Sequence, residues 1–187
     1  MKLRAYIYCG LVVCIIFAQA ACENDLRDVE EISSKKNSIP VDKSTGVEII
    51  YSDSAKVKAK MMAPELLHFK TENPYYEMKK GVTIIFFDDA LQENSRVTAD
   101  YAIRKENEKL IELRNNVVAV NERKETFKSD ELIWDENKKR FSSTKTVSIT
   151  SDGNTIYGTS FWANENFTYY EITQSTGDLS LTDKQGF

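Results

Sequence analysis

Residues 110–172 read LIELRNNVVAVNERKETFKSDELIWDENKKRFSSTKTVSITSDGNTIYGTSFWANENFTYYEI. Apolar and polar residues alternate along much of this stretch, and a period of two is typical of half-buried strands. An Asp152-Gly153 pair separates Ile149 from Ile156, and Asp-Gly tolerates the positive φ angles of a tight hairpin turn. Strand-like runs recur roughly every 8–12 residues, which is the spacing of sandwiches and barrels. The stretch therefore predicts consecutive antiparallel hairpins.

The same organisation extends toward the N-terminus. Strands led by Val82, Val117 and Val147 begin 35 and 30 residues apart, and strands of mixed character follow at 96–103, 127–134 and 156–163. Such a period indicates stacked hairpins, none of which buries its apolar face alone. We predict an all-β fold, an open antiparallel β-jelly roll (β-taco) of stacked hairpins with an apolar interior groove.

Residues 100–114 are the main candidate for a helix in place of strands, because they contain strong helix formers. Their apolar residues make no continuous stripe at helical spacing. The pattern favours a strand, a polar turn at 105–109 and a second strand.

Composition narrows the function. The net charge of −4 argues against a nucleic-acid binder, which needs clustered Lys and Arg. His68 is the single histidine, so a His-rich metal cage and a two-histidine catalytic scheme are excluded within one chain. No GxGxxG or GxxxxGK spacing occurs among the seven glycines. We predict no catalytic residue, no cofactor and no metal site.

The N-terminus has the character of an export signal. Lys2 and Arg4 precede a 14-residue apolar segment at 5–18, which is short for a membrane-spanning helix of about 20 residues. Ala20-Ala21-Cys22 resembles the lipobox of bacterial lipoproteins, although Gln19 departs from the usual aliphatic residue. The other two cysteines lie inside the segment to be removed, so lipidation would consume the remaining thiol. The alternative is an uncleaved anchor helix with Cys22 free at its end.

These features predict a domain organisation. We expect a lipoprotein signal peptide at 1–21, a lipidated cysteine and flexible linker at 22–43, a jelly-roll domain at 44–175, and a tail or edge segment at 176–187. Both versions of the anchor place the domain outside the cytoplasm, at a membrane. We expect the periplasm, with the lipid in the inner membrane.

Two stretches carry a resemblance to a known family. Residues 110–172 resemble the periplasmic β-jelly-roll domain of lipopolysaccharide export. The stretch VEIIYSDSAKVKAKMMAPELLHF, at 47–69, precedes 75–88 as in the LptC branch of that family. The resemblance implies a non-enzymatic protein that receives lipopolysaccharide from an inner-membrane ABC transporter and passes it to a periplasmic bridge protein of the LptA type. The lipid anchor would replace the transmembrane helix of the best-known members.

The resemblance also implies site residues. Acyl chains would contact an interior groove formed by Met78, Val82, Ile84, Phe86, Val117, Ala119, Leu132, Val147, Ile149, Phe161, Ala163 and Tyr170. Edge strands would dock the partners through Val47, Ile49 and Tyr51 at the first edge and Phe167, Tyr169, Glu171 and Thr173 at the second. Exposed edge strands with unpaired main-chain groups favour pairing with another sheet.

Two alternatives stay open on the sequence. The interior residues could fill a closed sandwich core, and the chain could be a surface-anchored glycan-binding lipoprotein with an aromatic platform at Trp162, Tyr169 and Tyr170. An enzyme is the third and weakest interpretation.

Overall fold

A computed structural model describes residues 41–178, which form twelve β-strands. The predicted signal peptide, Cys22 and most of the predicted linker lie outside the described residues, as does the end of the tail. The strands are β1 Val41–Asp53, β2 Lys56–Phe69, β3 Tyr75–Met78, β4 Val82–Phe87, β5 Glu93–Ala99, β6 Tyr101–Lys105, β7 Leu110–Asn121, β8 Thr126–Asp135, β9 Arg140–Ser143, β10 Val147–Ser151, β11 Asn154–Asn164 and β12 Tyr170–Asp178. Within residues 41–178 no helix is long and apolar enough to cross a membrane.

All twelve strands of the described part belong to one antiparallel sheet that folds over on itself. Half 1 contains β4, β5 and β10, and half 2 contains β3, β6 and β9. Six long strands run through both halves. Four of them, β2, β7, β8 and β11, pair with different short strands along their length: β7, for example, pairs with β6 at 110–114 and with β5 at 118–121. The edge strands β1 and β12 follow β2 and β11 through both halves. The halves face each other across one interior, which confirms the predicted β-jelly roll.

The long strands bend where they pass from one half to the other. Gly46 in β1, Asn115 and Asn116 in β7, Ser160 in β11 and Gln174 in β12 all have positive φ angles of 50 to 62° at these points. The β7–β8 register shifts between Arg114 and Val117, at the same bend. A left-handed residue turns the chain sharply, and Gly and Asn adopt that conformation at the lowest steric cost. The bends lie together on one side, which we call the bend side.

The opposite side of the molecule consists of hairpin turns. Half 1 contributes the turns at 54–55, 88–92, 122–125 and 152–153, and half 2 contributes those at 70–74, 106–109, 136–139 and 165–169. We call this side the mouth. The 152–153 turn confirms the Asp-Gly prediction, since Asp152 has a φ of 49° and Gly153 a φ of 79°.

The predicted boundaries agree with the strands only in part. A strand, turn and strand replace the helix that 100–114 could have formed, as predicted. The prediction of one strand over 96–103 is wrong, because the chain changes halves at Asp100 between β5 and β6. The first strand begins at Val41, inside the predicted linker, and Lys43 already forms an ion pair with Glu65. The last strand ends at Asp178, within the predicted tail.

Candidate lipid groove

Alternation along the strands directs one set of side chains into the space between the halves. Eleven of the twelve predicted groove residues are buried, with exposed fractions of 3% or less. The exception is Tyr170, which is partly buried and packs its ring edge-on against Phe127 at a centroid distance of 5.0 Å. The sequence therefore located the interior correctly, and the structure fills that interior with side chains.

The apolar interior continues to both edge strands. Within residues 41–178, β1 pairs only with β2 and β12 pairs only with β11. The inward side chains of the edge strands pack against the core without being fully covered: they are Val47, Ile49 and Tyr51 at one end, and Tyr170 and Ile172 at the other. The apolar surface is thus half-exposed at each end of the stack.

The predicted edge residues need one correction. Val47, Ile49 and Tyr51 lie on β1, and Glu171 and Thr173 lie on β12. Phe167 and Tyr169, however, lie in the 165–169 turn before β12, where the chain reverses after Asn164. Phe167 is fully buried and Tyr169 is 59% exposed, so the two residues do not share an edge.

Phe167 completes an aromatic cluster that the sequence analysis did not identify. Its ring centroid lies 4.9 Å from that of Phe141, 5.0 Å from Phe127 and 6.4 Å from Phe161. The inward orientation of Phe127 could have been predicted, because Phe127 lies directly opposite Ala119, which was predicted to face inward. Directly opposed residues of neighbouring strands share a face.

The cluster extends toward the mouth. Phe86 makes edge-on contacts with Trp134 and Phe141, at centroid distances of 4.9 and 5.7 Å. Tyr51 of the edge strand contacts Trp134 at 5.2 Å. Aromatic side chains therefore connect the mouth with the C-terminal end of the interior.

Polar contacts join half 1 to the 165–169 turn of half 2 across the mouth. The Ser95 hydroxyl donates to the Glu165 carbonyl at 2.8 Å, and the Asn121 amide donates to the Phe167 carbonyl at 3.0 Å. The Arg123 guanidinium donates to the Thr168 carbonyl at 3.3 Å. Ser95 and Asn121 are among the few buried polar residues of the described part, and both hold the 165–169 turn.

A surface cavity of about 950 Å³ opens at the mouth beside this turn. Phe86, Trp134 and Tyr51 contribute aromatic surface to it, and the Lys139–Asp53 ion pair lies at its rim. The Oδ1 atom of Asn94 in its lining is buried and has no hydrogen-bond partner in the described part. The cavity thus combines an aromatic floor with a polar rim.

Three ionisable side chains near the apolar interior have shifted pKa values. The Oε2 atom of Glu65 lies 2.7 Å from Lys43 Nζ and 2.8 Å from Lys80 Nζ. Hydrogen bonds from these ammonium groups lower the pKa of Glu65 to about 2. Burial raises the pKa of Glu165, although the indole N–H of Trp134 donates to its carboxylate at 3.0 Å and opposes that shift. Burial also raises the pKa of Tyr51 far above its ordinary value.

Known proteins were compared with this chain. A family model described as lipopolysaccharide-assembly, LptC-related, matches residues 7–173. A search of curated proteins finds no match. The matched residues cover most of the 187-residue chain and include eleven of the twelve strands in full. The chain therefore belongs to the LptC-related family of lipopolysaccharide-assembly proteins.

Proposed function

We propose that this protein transfers lipopolysaccharide without catalysing a reaction, receiving it from an inner-membrane ABC transporter and passing it to a periplasmic bridge protein. The family takes part in lipopolysaccharide transport. The observation that carries the finer proposal is the continuity of the apolar interior from β1 to β12, with half-exposed apolar side chains at both ends. A lipid with several acyl chains needs such a continuous apolar path, because each exposed CH₂ group costs about 0.8 kcal/mol in water.

The two edge strands support separate docking surfaces. Main-chain groups on the outer side of β1 and of β12 are available to a neighbouring sheet, and strand addition would extend the groove across each junction. We assign β1 to the transporter and β12 to the bridge protein. This orientation follows the order in which the family resemblance places the partners.

Lipid contact is tested by photo-crosslinking in membranes that contain the transporter and ATP. A benzophenone side chain at Tyr170 or Tyr51, whose rings are partly buried at the two ends of the groove, should capture lipopolysaccharide. Tyr157 is the matched control, because it is a tyrosine of β11 that is 49% exposed. Equal capture at Tyr157 and Tyr170 would contradict a groove inside the fold.

The orientation of the two docking surfaces is tested with the same chemistry. A benzophenone at Ile50, an exposed residue of β1, should capture the transporter's periplasmic domain. One at Thr173, an exposed residue of β12, should capture the bridge protein. Capture of the same partner at both positions would overturn the assignment.

We further propose that Cys22 carries the lipid anchor and that residues 23–40 join it to β1. The support is the Ala20-Ala21-Cys22 sequence after a short apolar segment. Mass spectrometry of the membrane-extracted protein should find an acylated N-terminal Cys22, and Cys22→Ser should leave an unprocessed precursor. An intact N-terminus with an unmodified thiol would refute the anchor.

The structure does not favour the glycan-binding alternative. The Trp162 ring contacts the Tyr169 ring at a centroid distance of 5.3 Å with a tilt of 48°, and the guanidinium of Arg140 lies over the Trp162 ring at 5.8 Å. Tyr170 contacts Phe127 in the interior instead of joining them. The three predicted platform residues therefore do not form one flat exposed surface.

A further inference from the structure

We propose that the aromatic pocket occupied by Phe167 is a binding site for a hydrocarbon chain, and that an incoming chain displaces the Phe167 ring by moving the 165–169 turn. The walls of this pocket are Phe127, Phe141 and Phe161. The identity of the amphiphile that carries the chain rests on the proposed function, whereas the site itself is tested separately.

Phe167 joins a surface turn to the interior of the fold. Its ring is fully buried among the wall residues, although its main chain belongs to a surface turn at the mouth. The residue has a φ of 54°, the left-handed conformation that Lys109, Lys124 and Lys139 also adopt in their hairpin turns, but within residues 41–178 only at position 167 does a bulky aromatic side chain occupy it. The ring thus fills the pocket from the surface, while the walls belong to strands.

Side-chain hydrogen bonds hold the 165–169 turn in place. Its contacts with half 1 across the mouth are hydrogen bonds from the side chains of Ser95, Asn121 and Arg123 to carbonyl groups of the turn. Withdrawal of the turn would break these bonds and the bond from the Trp134 indole N–H to the Glu165 carboxylate, but no pair of the strand ladder. The freed groups lie at the mouth, where water can replace each partner. Displacement therefore leaves the twelve strands of the described part paired.

The chemistry of the ligand follows from the pocket walls. The pocket walls are aromatic, and Leu132 and Ala163, both fully buried, continue the apolar interior beyond them. A buried charge without a partner is strongly unfavourable in such surroundings, so the part that enters must be hydrocarbon. A linear chain suits a path that continues into the groove.

The end of the ligand that stays at the mouth has polar groups beside it. The adjoining cavity includes Asn164 at the end of β11 and the turn residues Glu165 and Asn166, together with Asn94, whose buried Oδ1 has no partner in the described part. An N–H or O–H group close to the start of the chain would donate to this oxygen.

The test places a fluorine label on the ring itself. The full-length protein is prepared with 4-fluorophenylalanine at position 167, and the fluorine NMR signal is followed while laurate or lipopolysaccharide is added. Binding of each lipid is measured independently by co-elution. A second preparation with the label at position 161, in the pocket wall, serves as the control.

The expected result is a large shift of the position-167 signal toward that of a solvent-exposed ring with either lipid, while the position-161 signal stays in the range of a buried ring. If lipopolysaccharide co-elutes but the position-167 signal does not move, the inference is overturned and the proposed function stands. If laurate moves the signal and lipopolysaccharide does not bind, the site stands and the proposed function fails. If neither lipid binds, both are wrong.

An affinity measurement gives an independent check. Phe167→Ala removes the competing ring, so laurate should bind at least tenfold more tightly than to the wild type. Tyr169→Ala is the control, because it alters the same turn at an exposed position, and it should leave the affinity unchanged. Equal affinities of Phe167→Ala and the wild type would contradict displacement of the ring.

Discussion

The two ends of the apolar interior have the same backbone architecture but different side chains. At the N-terminal end the buried apolar residues of β2, β3 and β5 are aliphatic, such as Met61, Met78 and Val97, and β4 adds one aromatic residue, Phe86. At the C-terminal end the buried residues of β8, β9 and β11 include Phe127, Phe141 and Phe161, and a surface turn adds Phe167. Period-two alternation specifies only which face is apolar, so one fold can accommodate two kinds of interior.

The two edge strands differ as well. β1 pairs with β2 from Val41 to Asp53 with one register shift, close to the hairpin turn. β12 pairs with β11 with two register shifts, at Tyr157/Thr159 and at Thr159/Phe161. Bulges increase the twist of a strand and occur preferentially at sheet edges. The C-terminal edge is therefore the more strongly twisted and less regular of the two.

The largest expected effect is a difference in the free energy of unfolding between a variant in the pocket wall, at Phe141, and a variant at Phe167, whose ring occupies the pocket. Phe141→Ala should lower the free energy of unfolding by about 3–5 kcal/mol, because β9 cannot collapse into the cavity that the missing ring leaves. Phe167→Ala should cost only about half as much, because a surface turn can move inward or admit water. Urea denaturation measures both variants, and Ile50→Ala at an exposed position should fall within about 0.5 kcal/mol of the wild type. Equal costs at 141 and 167 would remove the distinction.

A smaller effect compares the two edges through their glycines. A Cβ atom on Gly158 would lie 2.5 Å from Ile172 Cγ1 and 2.7 Å from the Thr173 carbonyl oxygen. Gly158→Ala should therefore push β12 away from β11 and lower the free energy of unfolding by about 1–3 kcal/mol. Crosslinking of Thr173 to the downstream partner should fall at the same time.

Gly46→Ala is the matched change at the other edge. A Cβ atom there meets nothing within 4 Å, so only the positive φ of 60° opposes alanine, at about 1 kcal/mol. Transporter crosslinking at Ile50 should persist. A Gly46→Ala variant that is less stable than Gly158→Ala would show that the positive φ angle costs more stability at these edges than the steric clash between neighbouring strands.

The smallest effect uses one carboxylate from each end, with opposite pH dependence. The pKa of Glu65 is lowered to about 2 in the folded protein, against an ordinary value of 4.5. Its ionised form is thus favoured by folding, so this stabilisation is present above pH 4.5 and is lost as the pH falls toward 2. Glu65→Gln should lower the urea midpoint at pH 7 and have little effect at pH 2.

Glu165 should behave in the opposite way. Burial raises its pKa, so folding favours the protonated form, and stability falls as the pH rises from 4.5 through the folded pKa. Glu165→Gln keeps an acceptor for the indole N–H of Trp134 and should raise the stability at pH 7 by less than about 1 kcal/mol. A lower urea midpoint for Glu165→Gln at pH 7 would show that the carboxylate stabilises the turn.

Much of the apolar interior could be predicted from short-range patterns. Alternation placed Val117 and Ala119 on one face, and the buried positions of both agree with it. The Asp152-Gly153 turn was predictable because few residues other than Gly, Asn and Asp adopt consecutive positive φ angles. The division of 96–103 into two strands was missed, because its cause is the passage of the chain between halves at Asp100.

The chain's own sequence determined the all-β class, the hairpin succession and the inward face of the strands, because these depend on residues two to four positions apart. The tertiary structure alone decided that Phe167 enters the interior while Tyr169 remains 59% exposed. Both are aromatic residues of one turn, and no local period distinguishes them. The choice depends on Ser95, Asn121 and the walls of the aromatic pocket, which reach the turn only when the sheet folds over on itself.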